Sequence, residues 1–193
     1  MAENGGRIVE KLAVFGGKPV FEKKIGYGHQ YIDDADIQAV VDVLKSDFLT
    51  CGPKINEAEA KLCEITGAKH AVLISNGTAA LHAACFAAGI GPGDEVITTP
   101  ITFAASANCA LYCGGKPVFA DINPETYNIA PDSIEKCITE RTKAVVAVDF
   151  TGQAVEVQRI REICDSITLF LLKMQHILWA PDLMESRSEA WQT

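Results

Sequence analysis

His70-Ala71-Val72-Leu73-Ile74-Ser75-Asn76-Gly77-Thr78-Ala79-Ala80-Leu81-His82 is the stretch on which the reading of this chain turns. His70 to Ile74 is a short apolar run with β-branched members, and the pattern predicts a buried strand over 70–75. The run breaks at Ser75-Asn76-Gly77-Thr78, and a helical pattern follows at once, predicting a helix over 79–89. A strand that turns into a helix in this way leaves backbone N–H groups free at the helix start. Together with the positive end of the helix dipole they suit a phosphate. Gly77 lets the backbone come close to an anion, and Thr78 adds a hydroxyl donor. An ordinary N-capped strand–helix turn carries the same local pattern.

The neighbouring segments favour the phosphate reading. Gly89-Ile90-Gly91-Pro92-Gly93-Asp94-Glu95-Val96-Ile97 reads as a helix stop, a tight turn and a new strand. Thr99-Pro100-Ile101-Thr102-Phe103-Ala104-Ala105-Ser106-Ala107-Asn108 then opens another helix with one aromatic, Phe103, at its mouth. A flat cofactor ring needs a phosphate grip and a stacking face, and the segment offers both; Phe103 as plain core is the alternative. The glycines of 89–93 precede a strand, whereas a dinucleotide fingerprint follows one and opens a helix, so that reading fails.

Further along, strands and helices alternate at 95–98, 102–112, 117–120, 131–139, 143–148 and 155–164. Such alternation implies βαβ units and an α/β domain with a largely parallel sheet flanked by helices. Upstream, Gly16-Gly17-Lys18-Pro19 reads as a turn in an N-terminal arm, 1–22. Ile37, Val40, Val41 and Leu44 lie at helical spacing behind Asp33 or Asp34 as cap, and 57–66 reads as a second helix.

Composition agrees with an ordinary cytoplasmic α/β protein. Of 193 residues, 48% are hydrophobic and 22% charged, enough for a sizeable core. A formal net charge of −8 argues against nucleic acid or an anionic membrane surface as partner. Neither a signal peptide nor a bilayer-spanning run is expected. Seven cysteines without framework spacing point to reduced cytosolic thiols. Cys109 and Cys113, four apart, could pair as metal ligands, but buried small residues are the favoured reading and no metal site is expected.

Several strings together resemble the DegT/DnrJ/EryC1/StrS sugar aminotransferases. They are Leu49-Thr50-Cys51-Gly52-Pro53-Lys54, Ser75 through Leu81, Gly91-Pro92-Gly93-Asp94-Glu95-Val96, Gly115 through Asp121, and Arg141-Thr142-Lys143-Ala144. The likeness runs from about Leu12 to Asp165. Tyr27-Gly28-His29-Gln30, Ser46 to Thr50 and Val148-Asp149-Phe150-Thr151-Gly152 are most similar to the 4-aminotransferases of pseudaminic acid biosynthesis. The resemblance implies a fold-type I, pyridoxal 5′-phosphate-dependent large domain spanning 23–165, here incomplete. It implies Asn76, Gly77 and Thr78 at the cofactor phosphate and Phe103 against its ring. Tyr27, Leu49 and Thr50 fall where relatives touch the sugar nucleotide or a partner subunit's phosphate; surface or packing roles are the alternative. The intact family works on a nucleotide-linked 4-keto-6-deoxy sugar with an amino-acid donor, glutamate, and a homodimer is implied. His29 and His82 match no catalytic position of the family, and His82 reads better as a helix-face residue.

After Asp165 the likeness breaks. The family would continue into a buried strand ending Glu-Asp-Ala-Ala-His, whose Asp pairs with the cofactor's ring nitrogen. A later Ser-Phe-His-x-x-Lys segment would supply the lysine that holds the cofactor covalently. Neither is written here, and no lysine, among them Lys54, Lys69, Lys116, Lys143 and Lys173, matches that position. Leu171 to Ala180 can be encoded TTA TTG AAG ATG CAG CAC ATT CTT TGG GC. Read from the third base, the same letters give Ile-Glu-Asp-Ala-Ala-His-Ser-Leu-Gly. Met174-Gln175, which forces Ala, and Trp179-Ala180, which forces Gly, both land where the family pattern wants them. The tail 166–193 is therefore expected to be out of frame, with one A lost at Ser166. On this reading the chain is an aminotransferase fragment with an incomplete cofactor site, no catalytic residue of its own and no transaminase activity. Ser166 to Lys173 is nonetheless apolar and β-prone and can take the lost strand's place, while Ile177 to Trp179 is expected to be exposed and aggregation-prone. The alternative is a non-catalytic fragment that binds phosphate or pairs with a full-length copy.

Overall fold

Two compact units, Met1–Cys51 and Gly52–Thr193, divide the chain. The computed structural model describes residues 11–21, 23, 26, 28 and 30–175. Within the first unit, a short 3-10 turn at Ala13–Phe15 ends on Gly16, whose φ of +88° is the left-handed conformation glycine adopts freely. Helix α1 (Asp34–Leu44) begins at Asp33, whose carboxylate accepts the N–H groups of Ala35 and Asp36 at 2.9 and 3.1 Å. The Asp36 carboxylate returns to the Asp33 N–H at 3.1 Å, completing a reciprocal cap.

The second unit opens with α2 (Pro53–Thr66), which starts a full turn before the expected Glu57. Pro53 explains the difference, since proline's fixed φ suits the first helical turn, where its missing N–H is not needed. The remaining elements are α3 (Gly77–Ala87), β1 (Glu95–Thr98), α4 (Ala105–Tyr112), β2 (Lys116–Phe119), α5 (Pro131–Cys137), β3 (Thr142–Asp149), α6 (Val157–Ser166) and β4 (Phe170–Gln175). The four strands form one sheet in the order β2-β1-β3-β4, every pairing parallel. This is the α/β architecture expected from the alternating pattern.

The central strand β3 is buried on both sides, with Ala144 to Ala147 fully inaccessible, as a helix-covered parallel strand requires. Its alternate side chains feed two cores. One gathers Leu81, Cys85, Val96, Ala105, Cys109 and Val146, with Leu172 and Met174 against it. The other gathers Ile97, Ile129, Ile134, Val145, Ala147 and Ile160, with Leu169 and Leu171 against it. At the strands' amino end, buried Glu95 accepts from Thr139 Oγ1 at 2.7 Å and from Arg141 at 2.9 and 3.2 Å. That cluster ties β1 to the turn leading into β3.

The expected strand over 70–75 does not form; residues 71–74 join no ladder among the described residues. Val72 is 74% exposed, and the Leu73 N–H donates to Glu59 Oε1 at 2.9 Å instead of to a strand. Apolarity tells that a run favours burial, but a ladder also needs a neighbour with free N–H and C=O groups, and no described strand offers one here. The apolar run after Ser166 does find one: Phe170–Gln175 pairs with β3 from Ala144↔Phe170 to Asp149↔Gln175. Ile177 to Trp179 lie outside the described residues.

Candidate active site at the carboxyl end of the sheet

Helix α3 ends at Ala87 and β1 begins at Glu95, so α3 runs against the strands and its start lies at their carboxyl ends. Helix α4 starts there too, since it follows β1 through Thr99 to Ala104. In open α/β sheets ligands bind outside these ends. At the start of α3, Asn76 Oδ1 accepts the Ala79 N–H at 2.9 Å and the Asn76 carbonyl accepts the Ala80 N–H at 3.1 Å. That leaves the N–H groups of Gly77 and Thr78 with no acceptor in the helix itself. A Cβ built on Gly77 would meet nothing within 4 Å, and its φ is not positive. Gly77 therefore leaves open space beside its backbone and adopts no unusual angle.

Phe103, expected against a ring, stands 64% exposed just ahead of α4. Below it the Thr102 and Ser106 hydroxyls lie 2.8 Å apart, and Ser106 Oγ donates to Met174 Sδ at 3.3 Å. Met174 sits near the carboxyl end of β4 on the α3/α4 side of the sheet. The other side of the same end is charged. Lys173 Nζ lies 3.1 Å from Asp149 Oδ2, both side chains nearly inaccessible, and Asp149 Oδ1 accepts the Val155 N–H at 3.0 Å.

Buried Asn128 is a residue that sequence reading missed. Its Nδ2 donates to the Gln153 and Ala154 carbonyls at 3.1 and 3.2 Å, and its Oδ1 accepts the Phe150 N–H at 2.9 Å. It thereby shapes the loop after β3, where Thr151 adopts φ +55°. The only signal available was its place in a polar turn, which carries no information about a partner two dozen residues away.

The remaining expected residues fall apart by location. Leu49 and Thr50 are exposed in the first unit, after α1. Tyr27 and His29 lie outside the described residues. His82 packs its ring 5.3 Å from that of Tyr112, as a helix-face residue would. Cys109 is fully buried and its thiol donates to the Ser106 carbonyl at 3.2 Å. All seven cysteines are free thiols, and among the described residues no group of three or more His, Cys, Asp or Glu side chains could hold a metal ion. Nor, among them, is any helix long and apolar enough to cross a membrane.

A parallel sheet flanked by helices is the architecture of the fold-type I pyridoxal-phosphate aminotransferases, which are the structural neighbours of this chain. PseC of Helicobacter pylori, an aminotransferase involved in the biosynthesis of pseudoaminic acid, is 39% identical with a TM-score of 0.73, covering 78% of this chain and 41% of that one. The chain belongs to the DegT/DnrJ/EryC1/StrS aminotransferase family, whose pattern matches residues 30–173. Among curated relatives, the spore coat polysaccharide biosynthesis protein SpsC of Bacillus subtilis is 45% identical over 147 residues, which is 76% of this chain and 38% of SpsC. The UDP-4-amino-4-deoxy-L-arabinose–oxoglutarate aminotransferase of Shewanella sediminis is 42% identical over 132 residues, 68% of this chain and 34% of that enzyme. The chain thus spans under two-fifths of the length of these relatives.

A pyridoxal phosphate can be tested against the residues present. At the phosphate end, the N–H groups of Gly77 and Thr78 lack a helical acceptor and the space beside the Gly77 Cα is open. Phe103 is available as a stacking face. On the α3/α4 side of β4 stand Met174 and Ser106, neither of them acidic, while the carboxylate of Asp149 is turned to the other side.

Proposed function

We propose that the chain is the N-terminal part of a pyridoxal-phosphate-dependent sugar aminotransferase. The whole enzyme would move an amino group, from glutamate, to a nucleotide-linked 4-keto-6-deoxy sugar. A UDP-linked N-acetylhexosamine of the pseudaminic acid route is the particular substrate class. The start of α3 carries this reading: the Asn76 side chain caps Ala79, the N–H groups of Gly77 and Thr78 have no acceptor within the helix, and the space beside the Gly77 Cα is open. The similarity to PseC supports the sugar class, and the relative that uses oxoglutarate supports glutamate as donor. Bound here, the cofactor would supply an electron sink; Gly77 and Thr78 would hold its phosphate and Phe103 would cover one ring face. Leu49, Thr50 and Tyr27 would serve the sugar nucleotide across a homodimer. The boundaries proposed are an arm over 1–22, a partial large domain over 23–165 and an out-of-frame tail over 166–193.

Two residues set what this polypeptide can do by itself. Lys173, at the sheet's carboxyl end, has a side chain only 10% exposed and is held by Asp149 on the side away from α3. Met174, on the α3 side, offers no acid. The chain as written would therefore catalyse no transamination. Resequencing the coding DNA across the codon for Ser166 and downstream tests the proposal. An additional A, followed by codons for Glu-Asp-Ala-Ala-His and Ser-Phe-His-x-x-Lys, is the expected result. An early stop in the other frame would sink it.

A further inference from the structure

The ring-nitrogen end of the site has a chemistry of its own. β4 is paired in register with β3 from Phe170 to Gln175, so its side chains alternate between the two faces. Leu172 and Met174 join the core that holds Leu81, Cys85, Ala105 and Cys109, while Leu171 joins the opposite core. Met174 is therefore the β4 side chain nearest the sheet's carboxyl end that shares a face with the starts of α3 and α4. It is fixed there by Ser106 Oγ at 3.3 Å, and Ser106 is itself held by Thr102 at 2.8 Å. The chain of hydroxyls thus ends on a thioether, which is a weak acceptor and carries no charge. Asp149 lies in the ladder beside Gln175, but its carboxylate goes to Lys173 and the Val155 N–H. Neither Met174 nor the two hydroxyls beneath it supplies an acid.

We propose that the site selects phosphate monoesters of uncharged aromatic rings and disfavours pyridinium rings, because Met174 occupies the position facing the ring nitrogen. This rests on the phosphate reading of the α3 start. A cationic ring N–H placed against a thioether and apolar neighbours loses its water without gaining an anionic acceptor. A phenyl ring of the same shape loses nothing comparable. A carboxylate at 174 would reverse the preference, since a charge-assisted hydrogen bond is worth about tenfold or more in affinity.

The test uses the full chain and two phosphate esters without an aldehyde, benzyl phosphate and pyridin-3-ylmethyl phosphate, titrated by calorimetry at about pH 5, where an aspartate is ionised and the pyridine ring is substantially protonated. Both share the phosphate, so the ratio of their affinities isolates the ring nitrogen. Wild-type chain is expected to bind the benzyl ester at least as tightly as the pyridyl ester. Met174→Asp should shift the ratio about tenfold toward the pyridyl ester, and Met174→Leu should leave it as in wild type. A wild-type preference for the pyridyl ester, or no shift in a folded Met174→Asp chain, overturns the proposal. Should Met174→Asp fail to fold, the wild-type ester ratio together with the stability of Lys173→Met decides: a pyridyl preference, or no stability loss, overturns the proposal. Binding of neither ester by chain that circular dichroism shows to be folded overturns the phosphate reading, and this proposal with it. That outcome is distinct from a wrong ratio between two bound esters.

Discussion

Replacing Lys173 by Met measures how firmly the run after Ser166 is built into the sheet. The Lys173 and Asp149 side chains are 10% and 1% exposed, with Nζ and Oδ2 3.1 Å apart. Removing the ammonium leaves a buried carboxylate, and breaking a buried ion pair from one side costs about 3–5 kcal/mol. Methionine keeps most of the lysine stem, so little packing is lost. The Val155 N–H still reaches Asp149 Oδ1 at 3.0 Å, which places the expectation at the low end, about 3 kcal/mol. For a chain of 193 residues a kilocalorie moves Tm by about 2–4 °C, giving a fall of about 6–12 °C. Urea unfolding followed by circular dichroism should show a lower midpoint with an unchanged slope. The double variant Asp149→Asn, Lys173→Met keeps an acceptor for Val155 but removes both charges, and should return to within about 1 kcal/mol of wild type. A loss below about 1 kcal/mol in the single variant would refute the reasoning. A double variant as weak as the single would show that lost packing, not charge, was responsible.

The other expectations follow from single contacts. Gly77→Ala should leave stability unchanged or slightly raised, because its Cβ meets nothing within 4 Å and alanine favours a helix; it should nonetheless weaken benzyl phosphate binding about tenfold by filling the space an anion needs, and equal binding would count against the phosphate site. At the opposite end of the sheet, Lys143 and then the Gly91 N–H hold the Asp94 carboxyl below its ordinary value, and Thr139 and then Arg141 do the same for Glu95. Both folded values lie below the unfolded ones, so their stabilisation is complete above the ordinary carboxylate range near 4 and is lost as pH falls through the folded values. Urea midpoints measured from neutral to strongly acid pH should drop in that window, and the Glu95→Gln variant should drop less steeply there. Burial, and then the charge of Asp165, push the Cys164 thiol up to about 11, so iodoacetamide at mildly alkaline pH should modify exposed Cys51 and spare Cys164 until the chain unfolds. Equal labelling of the two in native protein would contradict the burial of α6.

The alternation of strand and helix segments from residue 95 onward, with turn residues between them, made the parallel sheet legible from sequence. Strand β1 lies where expected, at 95–98, and of the two expected caps for α1 it is Asp33 that serves. Two kinds of information were not legible. The apolarity of Val72, Leu73 and Ile74 could not say whether a neighbouring strand would be present to pair with them. Equally, nothing local to Asn128 could announce that its amide would bridge to Gln153, Ala154 and Phe150 across the fold. At the site, Gly77 and Thr78 were visible because a helix start is a local event. The face that Met174 and Lys173 each present was not, because that depends on the register of β4 against β3.

That register links the Lys173 and Met174 experiments. Alternation along β4 puts Met174 beside Ser106 and Lys173 beside Asp149 in one stroke. A slip of one residue would exchange the faces of every side chain in the strand. It would carry an ammonium to the α3 side and a thioether to Asp149. Lys173→Met would then cost little, because no ion pair would be lost, and the site would gain a cation beside the bound ester. A cation there would repel a pyridinium more than Met174 does, so the preference for the benzyl ester would persist and even grow. Ester selectivity alone therefore cannot tell the two registers apart, whereas the stability loss in Lys173→Met can. The pair of results is informative together: a loss of about 3 kcal/mol with a benzyl preference fixes Met174 at the ring end, and a benzyl preference without that loss would assign the same selectivity to a shifted strand.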